Sequence, residues 1–176
     1  MARVQDILQV MNQMAPMAQA ESWDNVGLLV DCGADVTSIL VTLDITDEVV
    51  AEAEYQGCQL IISHHPVIFD PLKSIGRRDV AFRLVKKNIS AICMHTNLDV
   101  AEGGVNDILC ALFGVQDAKV FGGLGRVGAV RTTNVQQLSK ICTDTLGAHV
   151  KVVDCGQPVN RLAVVGGAGG SMLQEV

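Results

Sequence analysis

The chain has 176 residues, of which 49% are hydrophobic and 18% are charged. This composition supports the buried core of one domain, or of two small ones, and excludes an intrinsically disordered chain. The net charge of −6 argues against a general nucleic-acid-binding protein, which needs a basic surface. No apolar run reaches the roughly 18 residues of a membrane span, and the first residues lack a secretory signal. Together with six scattered cysteines, which indicate reduced thiols, these features predict a cytoplasmic protein that does not contact membranes.

Helical and strand patterns alternate along the first two thirds of the chain. Apolar residues at helical spacing, bounded by capping residues or glycines, predict helices at residues 4–14, 46–55, 78–87 and 104–113. Apolar runs predict strands at residues 38–43, 59–63 and 89–94, and a turn leading into a short strand within residues 21–31. Continuous rather than alternating apolar strands are typical of a parallel sheet covered on both faces. The predicted fold is α/β, with a mostly parallel sheet, helices on both faces and two lobes.

A glycine-rich stretch at residues 121–128 predicts the boundary between the two lobes. We expect an N-terminal α/β lobe over residues 1–122 and the start of a second α/β lobe over residues 123–176. The elements predicted in the second lobe are a helix at residues 134–146 and strands at residues 127–132, 149–153 and 162–165. The last residues predict a strand, a glycine turn and the first turn or two of a helix. We therefore expect the chain to be a fragment of a longer product.

The segment ISHHPVIFDPLKSI carries the strongest local signal for chemistry. His64 and His65 directly follow the predicted strand 59–63, and ligands of α/β sheets bind beyond the carboxyl ends of strands. Neutral imidazole is a common metal ligand. Where the strand turns into a loop, both rings can converge on one site. The alternative is a pair of structural or solvent-exposed histidines.

A second polar loop, CMHTNLDVAEGGVND, begins where the next predicted strand ends. If the two strands are parallel neighbours, His95 and Asp99 lie beside His64 and His65. Mixed nitrogen and oxygen ligands suit Zn, Fe, Mn, Ni or Co. Glu102 is a candidate base or a residue that supports the ligands. On its own, Asp99 is better explained as a turn or loop residue, and the coincidence of two histidine-bearing loops at two strand ends favours a joint site.

The remaining signals leave alternatives open. His149 opens a predicted strand and is interpreted as structural. The cluster Trp23-Asp24-Asn25 is either a turn with an anchoring indole, or part of the site or of a subunit interface. Residues 123–128 match GxGxxG, but they precede a strand instead of joining a strand to a helix, so the dinucleotide-binding mechanism does not apply.

Three segments, ESWDNVGLLVD, SHHPVIFDPLKSI and HTNLDVAEGGVND, resemble in order and spacing the hallmark segments of the NIF-three-like proteins. These proteins are also called GTP cyclohydrolase 1 type 2 homologues or dinuclear metal centre hexameric proteins. The resemblance covers essentially the whole chain, including AVVGGAGGS near its end. It implies two interlinked α/β domains, a homohexameric ring, and paired metal ions that face an internal cavity.

The resemblance also implies which residues hold the metals. His64, His65 and Asp99 match the family's N-terminal ligands, and His95 matches a histidine close to the metals. The family's other ligands are a His and a Glu four residues later, near the C-terminus. No HxxxE occurs after Asp99 in this sequence, which supports the expectation of a fragment. The resemblance therefore implies two metals in a full-length subunit.

Two functions follow from these residues and the resemblance. The first is a metal-dependent hydrolase that uses a metal-activated water, with His95 or Glu102 moving protons. The resemblance suggests GTP ring opening, and phosphoester or nucleotide hydrolysis is equally compatible with the ligands. The alternative is a non-catalytic metal-binding or regulatory hexameric scaffold protein.

Overall fold

The computed structural model describes residues 1–175. The chain forms two compact units, the first spanning Met1–Ala101 and the second beginning at Glu102. The predicted lobe boundary at residues 122 and 123 stays a prediction, because compactness alone does not show where an independently folding lobe begins. Among the described residues, no helix is both long and apolar enough to cross a membrane.

The first unit is built on a four-stranded sheet. Its elements in chain order are β1 (Ala2–Arg3), α1 (Val4–Met14), a short 3₁₀ helix (Met17–Gln19), β2 (Gly27–Val30), β3 (Asp35–Val36), β4 (Ile39–Thr42), α2 (Asp47–Tyr55), β5 (Leu60–Ser63), α3 (Val80–Lys87), β6 (Ser90–Cys93) and α4 (Thr96–Val100). The sheet has the strand order β2-β6-β5-β4. Strands β4, β5 and β6 are parallel, whereas β2 pairs antiparallel with β6, and β1 and β3 form a separate antiparallel pair.

Helices cover both faces of this sheet, as predicted. Successive side chains of a strand point to opposite faces. Accordingly Ile61 and Ala91 join a buried cluster with α2 and α3, while Leu60 and Ile92 join a second cluster with α1. The continuous apolar runs of β5 and β6 are therefore explained by burial on both sides.

Local sequence sets the ends of these helices. The Thr46 side chain accepts a hydrogen bond from the Val49 backbone N–H and caps α2. Asn88 adopts a left-handed conformation with φ 57° and ends α3. The predicted helices of the first unit agree with the structure to within two residues.

The second unit contains an antiparallel sheet. Its elements are α5 (Val105–Phe113), β7 (Gln116–Phe121), β8 (Gly125–Thr133), α6 (Val135–Leu146), β9 (Val159–Val164) and a short 3₁₀ helix (Gly169–Met172). The strands have the order β7-β8-β9, and both pairs are antiparallel. The α/β class is confirmed, but the expectation of a mostly parallel sheet holds only for β4, β5 and β6. Of the antiparallel pairs, only β7 and β8 are joined by a short turn, whereas helix α6 lies between β8 and β9 in the chain.

Two further details of the second unit differ from the prediction. The predicted strand 149–153 is wrong, since these residues are exposed and have no regular structure, and His149 therefore opens no strand. Strand β7 was not predicted, because its sequence has no continuous apolar run. All of its residues except Phe121 are exposed. The predicted terminal helix is a 3₁₀ turn at Gly169–Met172.

The parallel pairing of β5 with β6 positions the polar loops. Ser63 lies opposite Cys93, so both strands end at the same level. Backbone hydrogen bonds continue past the strand ends, from the Met94 N–H to the Ser63 carbonyl (2.9 Å) and from the His65 N–H to the Leu43 carbonyl (2.9 Å). The two histidine-bearing loops therefore start side by side.

Candidate metal centre

Three histidines converge at this edge of the sheet. His64 and His65 follow β5, and His95 directly precedes α4. Each offers one ring nitrogen, and these three nitrogens lie within 4.8 Å of one another. The ring centroids are 5.1 Å apart for His64 and His65, 5.2 Å for His64 and His95, and 5.6 Å for His65 and His95. The predicted convergence of the two loops is confirmed.

The hydrogen bonds of the first two rings fix which nitrogen is available. The Nδ1 atom of His64 lies 2.9 Å from the Met94 carbonyl oxygen, and the Nδ1 atom of His65 lies 2.7 Å from Asp44 Oδ1. A carbonyl or carboxylate oxygen only accepts, so each Nδ1 donates. The neutral ring then keeps its lone pair on Nε2. Such outward bonds are the usual way in which proteins orient metal-binding histidines.

His95 is oriented by a buried carboxylate. Its Nδ1 atom lies 2.9 Å from Asp24 Oδ1, which also accepts from the Asn25 N–H at 2.7 Å. Asp24 Oδ2 accepts from the Thr96 N–H at 3.0 Å and from the Thr96 hydroxyl at 2.5 Å. Burial alone would raise the pKa of Asp24, but the bonds from Thr96 and His95 outweigh it and hold the pKa below its ordinary value. Asp24 is therefore ionised at neutral pH.

Asp99 supplies an oxygen next to the cluster. It lies in the first turn of α4, its side chain is only 7% exposed, and its Oδ1 lies 3.7 Å from His64 Nε2. Burial raises the pKa of the Asp99 carboxyl, and the neighbouring His64 and His95 act against that rise. A divalent cation favours the ionised form of a buried carboxylate. Three imidazole nitrogens and one carboxylate oxygen are a donor set that fits a transition metal.

The predicted site residues are placed as follows. His64, His65 and Asp99, the predicted ligands, lie together, and His95, predicted as a proton-moving group, belongs to the same cluster. Glu102 is exposed and is the first residue of the second unit, so its predicted role stays a prediction.

Sequence reasoning missed the partners of two histidines. Asp44 follows β4 by one intervening residue, at the same carboxyl edge as the histidine loops, so the strand-end argument would have found it. Asp24 lies in the Trp23-Asp24-Asn25 cluster, for which a contribution to the site was one alternative. Its bond to His95 joins residues 71 positions apart, and no spacing rule reveals such a pair.

Aromatic side chains border the cluster. The ring of Trp23 lies 6.1 Å from the ring of Phe69 and 6.3 Å from that of His95, measured between centroids. Both Trp23 and Phe69 are exposed. Asn25 Nδ2 donates to the Ile68 carbonyl at 2.6 Å and ties the two segments together. The cluster thus has an apolar border on one side.

Cys93 lies behind the cluster and is not a ligand candidate. Burial raises the pKa of its thiol to about 12, with a smaller contribution from Asp24. The thiol donates to the His64 carbonyl, with sulfur and oxygen 3.1 Å apart. A protonated, fully buried thiol is a poor nucleophile and a poor ligand.

Comparisons with known proteins place the chain among a group of related proteins. The family model described as Duf34/NIF3 (NGG1p interacting factor 3) matches residues 2–176. The protein from Lactococcus lactis subsp. lactis named GTP cyclohydrolase 1 type 2 homolog is 33% identical over 183 residues, covering 97% of this chain and 71% of that protein. A protein of the same name from Staphylococcus epidermidis is 43% identical over 119 residues, covering 65% of this chain and 32% of that protein. The match to the staphylococcal relative thus spans about a third of its length.

A solved structure supports the same likeness. The crystal structure of a hypothetical protein from Staphylococcus aureus superposes with a TM-score of 0.85 at 28% sequence identity. The superposition covers 97% of this chain and 73% of that protein. The mixed α/β architecture described above is therefore shared with a protein of known structure.

Proposed function

Since this chain belongs to the Duf34/NIF3 family, we propose that it is a divalent-metal-binding protein and acts as a metal-dependent hydrolase. One observation carries the metal-binding part. Three ring nitrogens lie within 4.8 Å of one another, and each Nδ1 is occupied by an acceptor outside the cluster. This leaves three Nε2 lone pairs for one ion.

The proposed ligands are His64, His65, His95 and Asp99. His95 enters this set on geometry, whereas the sequence placed it among the proton-moving residues. A divalent transition metal bound there supplies Lewis acidity, which lowers the pKa of water and polarises a substrate group. The chain's own contribution is to fix the tautomers of the three imidazoles through their Nδ1 partners and to place the Asp99 carboxyl beside them.

The hydrolase part rests on the relatives. Their name, GTP cyclohydrolase 1 type 2 homolog, points to a nucleotide as the substrate to test first. Proton transfer by Glu102, a second metal in a longer subunit, a cytoplasmic location and assembly as a homohexamer are carried by the resemblance and remain part of the proposal.

The test of the metal site is elemental analysis of the purified chain. We expect about one equivalent of Zn, Fe, Mn, Ni or Co per chain after loading and desalting. The double variant His64→Ala/His65→Ala should lose that metal. The matched control is His149→Ala, which removes the one histidine outside the cluster and should keep it. A wild-type chain without metal, or equal loss in the control, would contradict the proposal.

The metal-loaded chain then separates the two functions. A hydrolase turns over GTP or another nucleotide at a rate that His64→Ala abolishes while the fold is kept. A scaffold protein binds the same metal, and neither the wild type nor the His64→Ala variant turns over a nucleotide. The second outcome would leave metal binding in place and remove the hydrolase assignment.

A further inference from the structure

The three histidines of the cluster have different partners for Nδ1. His64 donates to a backbone carbonyl, while His65 and His95 each donate to a carboxylate at similar distances, 2.7 Å to Asp44 and 2.9 Å to Asp24. Burial distinguishes the two carboxylates. The side chain of Asp44 is 54% exposed and that of Asp24 is 0% exposed. Solvent competes for the first bond and is excluded from the second.

The Asp24 carboxylate is also fixed by its other bonds. Oδ1 accepts from His95 and from the Asn25 N–H, and Oδ2 accepts twice from Thr96. The Thr96 hydroxyl in turn accepts from the Glu21 N–H at 3.0 Å. With both oxygens held by donors on two sides, the carboxylate cannot rotate away from His95 without losing bonds to backbone N–H groups.

We propose that Asp24 is the positioning residue of His95. Its Oδ1 accepts from Nδ1–H, so it selects the tautomer in which Nε2 carries the lone pair and turns that atom toward His64 and His65. Asp24 itself is not among the proposed ligands and would act on a bound metal only through His95. The proposal rests on the metal-binding function above, but its central statement concerns the metal-free chain.

The first test is therefore made without metal. In ¹⁵N-labelled protein at a pH where the rings are neutral, the nitrogen shifts and two-bond couplings of His95 report which nitrogen is protonated. We expect Nδ1–H for His95 in the wild type, and a mixture with Nε2–H in Asp24→Asn, because an amide no longer offers an ionised acceptor. The variant Asp44→Asn is the matched control and should leave the His95 tautomer unchanged.

The second test is the affinity for Zn²⁺, measured by competition with a chromophoric chelator. Loss of an outer partner of a metal-binding histidine costs about 10- to 100-fold in affinity. We expect a loss in this range for Asp24→Asn and a smaller loss for Asp44→Asn, whose bond to His65 is open to solvent. Circular dichroism of each variant checks that it folds.

The outcomes separate this proposal from the proposed function. A wild-type His95 protonated on Nε2, or equal losses in the two variants, would overturn the positioning role even if metal binds. A wild-type chain that binds no metal would remove the proposed function, while the tautomer measurement would still decide the role of Asp24. If Asp24→Asn fails to fold, the nitrogen that is protonated on His95 in the wild type decides whether Asp24 has the positioning role.

Discussion

The two compact units differ in how much apolar core they bury. The first unit buries aliphatic residues on both faces of its sheet, and Leu60, Ile61, Leu84 and Ile92 are all fully buried. In the second unit, helix α6 has no buried residue, and the most buried side chains include the polar Asn106 and Arg126. The candidate metal centre lies on the unit with the apolar core. A packed sheet holds ligands in place better than a sparsely buried one.

Polar bonds take the place of apolar packing in the second unit. Asn106 Nδ2 donates to the Leu124 carbonyl at 3.0 Å, and Asn106 Oδ1 accepts from the Gly166 N–H at 2.7 Å. Arg126 Nε lies 2.6 Å from Asp107 Oδ1. One asparagine thus ties the turn between β7 and β8 to the end of β9.

The largest expected effect is the removal of apolar core from the first unit. Leu84 on α3 is fully buried, so Leu84→Ala should lower the free energy of unfolding by about 2–5 kcal/mol. The matched control, Leu146→Ala on α6, removes the same atoms from a side chain that is 50% exposed and should cost less than about 1 kcal/mol. Urea denaturation measures both values. Equal losses would show that the two units are packed alike.

A smaller effect is expected at the polar centre of the second unit. Asn106→Ala leaves the Leu124 carbonyl and the Gly166 N–H without this partner, which should cost about 1–3 kcal/mol. Amide hydrogen exchange should accelerate in β8 and β9 and stay unchanged in β5 and β6. Acceleration throughout the chain would contradict the separation of the two units.

The third effect depends on pH and returns to the first unit. The Cys93 thiol has a pKa of about 12 in the folded chain and 9.0 as its ordinary value. Below pH 9 both states are protonated and its contribution to stability is fully present. As the pH rises further, the unfolded chain ionises first, so this contribution falls by about 1.4 kcal/mol per pH unit until the folded pKa is passed. In urea titrations between pH 8 and 11 we expect a flatter decline for Cys93→Ala than for the wild type, and parallel declines would refute the assignment.

The same contrast explains how much of the fold could be predicted. Strands β5 and β6 could be predicted because a strand that is buried on both faces has a continuous apolar run in its sequence. Strand β7 carries no such run, and residues 149–153 carry one without forming a strand, since a strand exists only where a neighbour accepts its backbone bonds. Apolar burial leaves a local pattern, whereas pairing does not.

The strand-end rule, that ligands bind beyond the carboxyl ends of parallel strands, predicted the positions of only some residues of the candidate site. It brought His64, His65 and His95 to one place, because parallel strands end at one edge. It did not reveal that His95 is oriented by Asp24, since that bond depends on how the turn near Trp23 packs against α4. The strand-end rule thus predicted the meeting of the histidines and extends to Asp44, whereas it does not extend to Asp24.

The position of the single tryptophan gives the chain a built-in optical probe. Trp23 is the only indole in the sequence, and its ring lies 6.3 Å from that of His95. Its fluorescence therefore originates beside the candidate centre and nowhere else. Loading the cluster with a quenching ion such as Co²⁺ would lower the fluorescence intensity of Trp23, so the occupancy of the metal site can be followed in real time without attaching a dye.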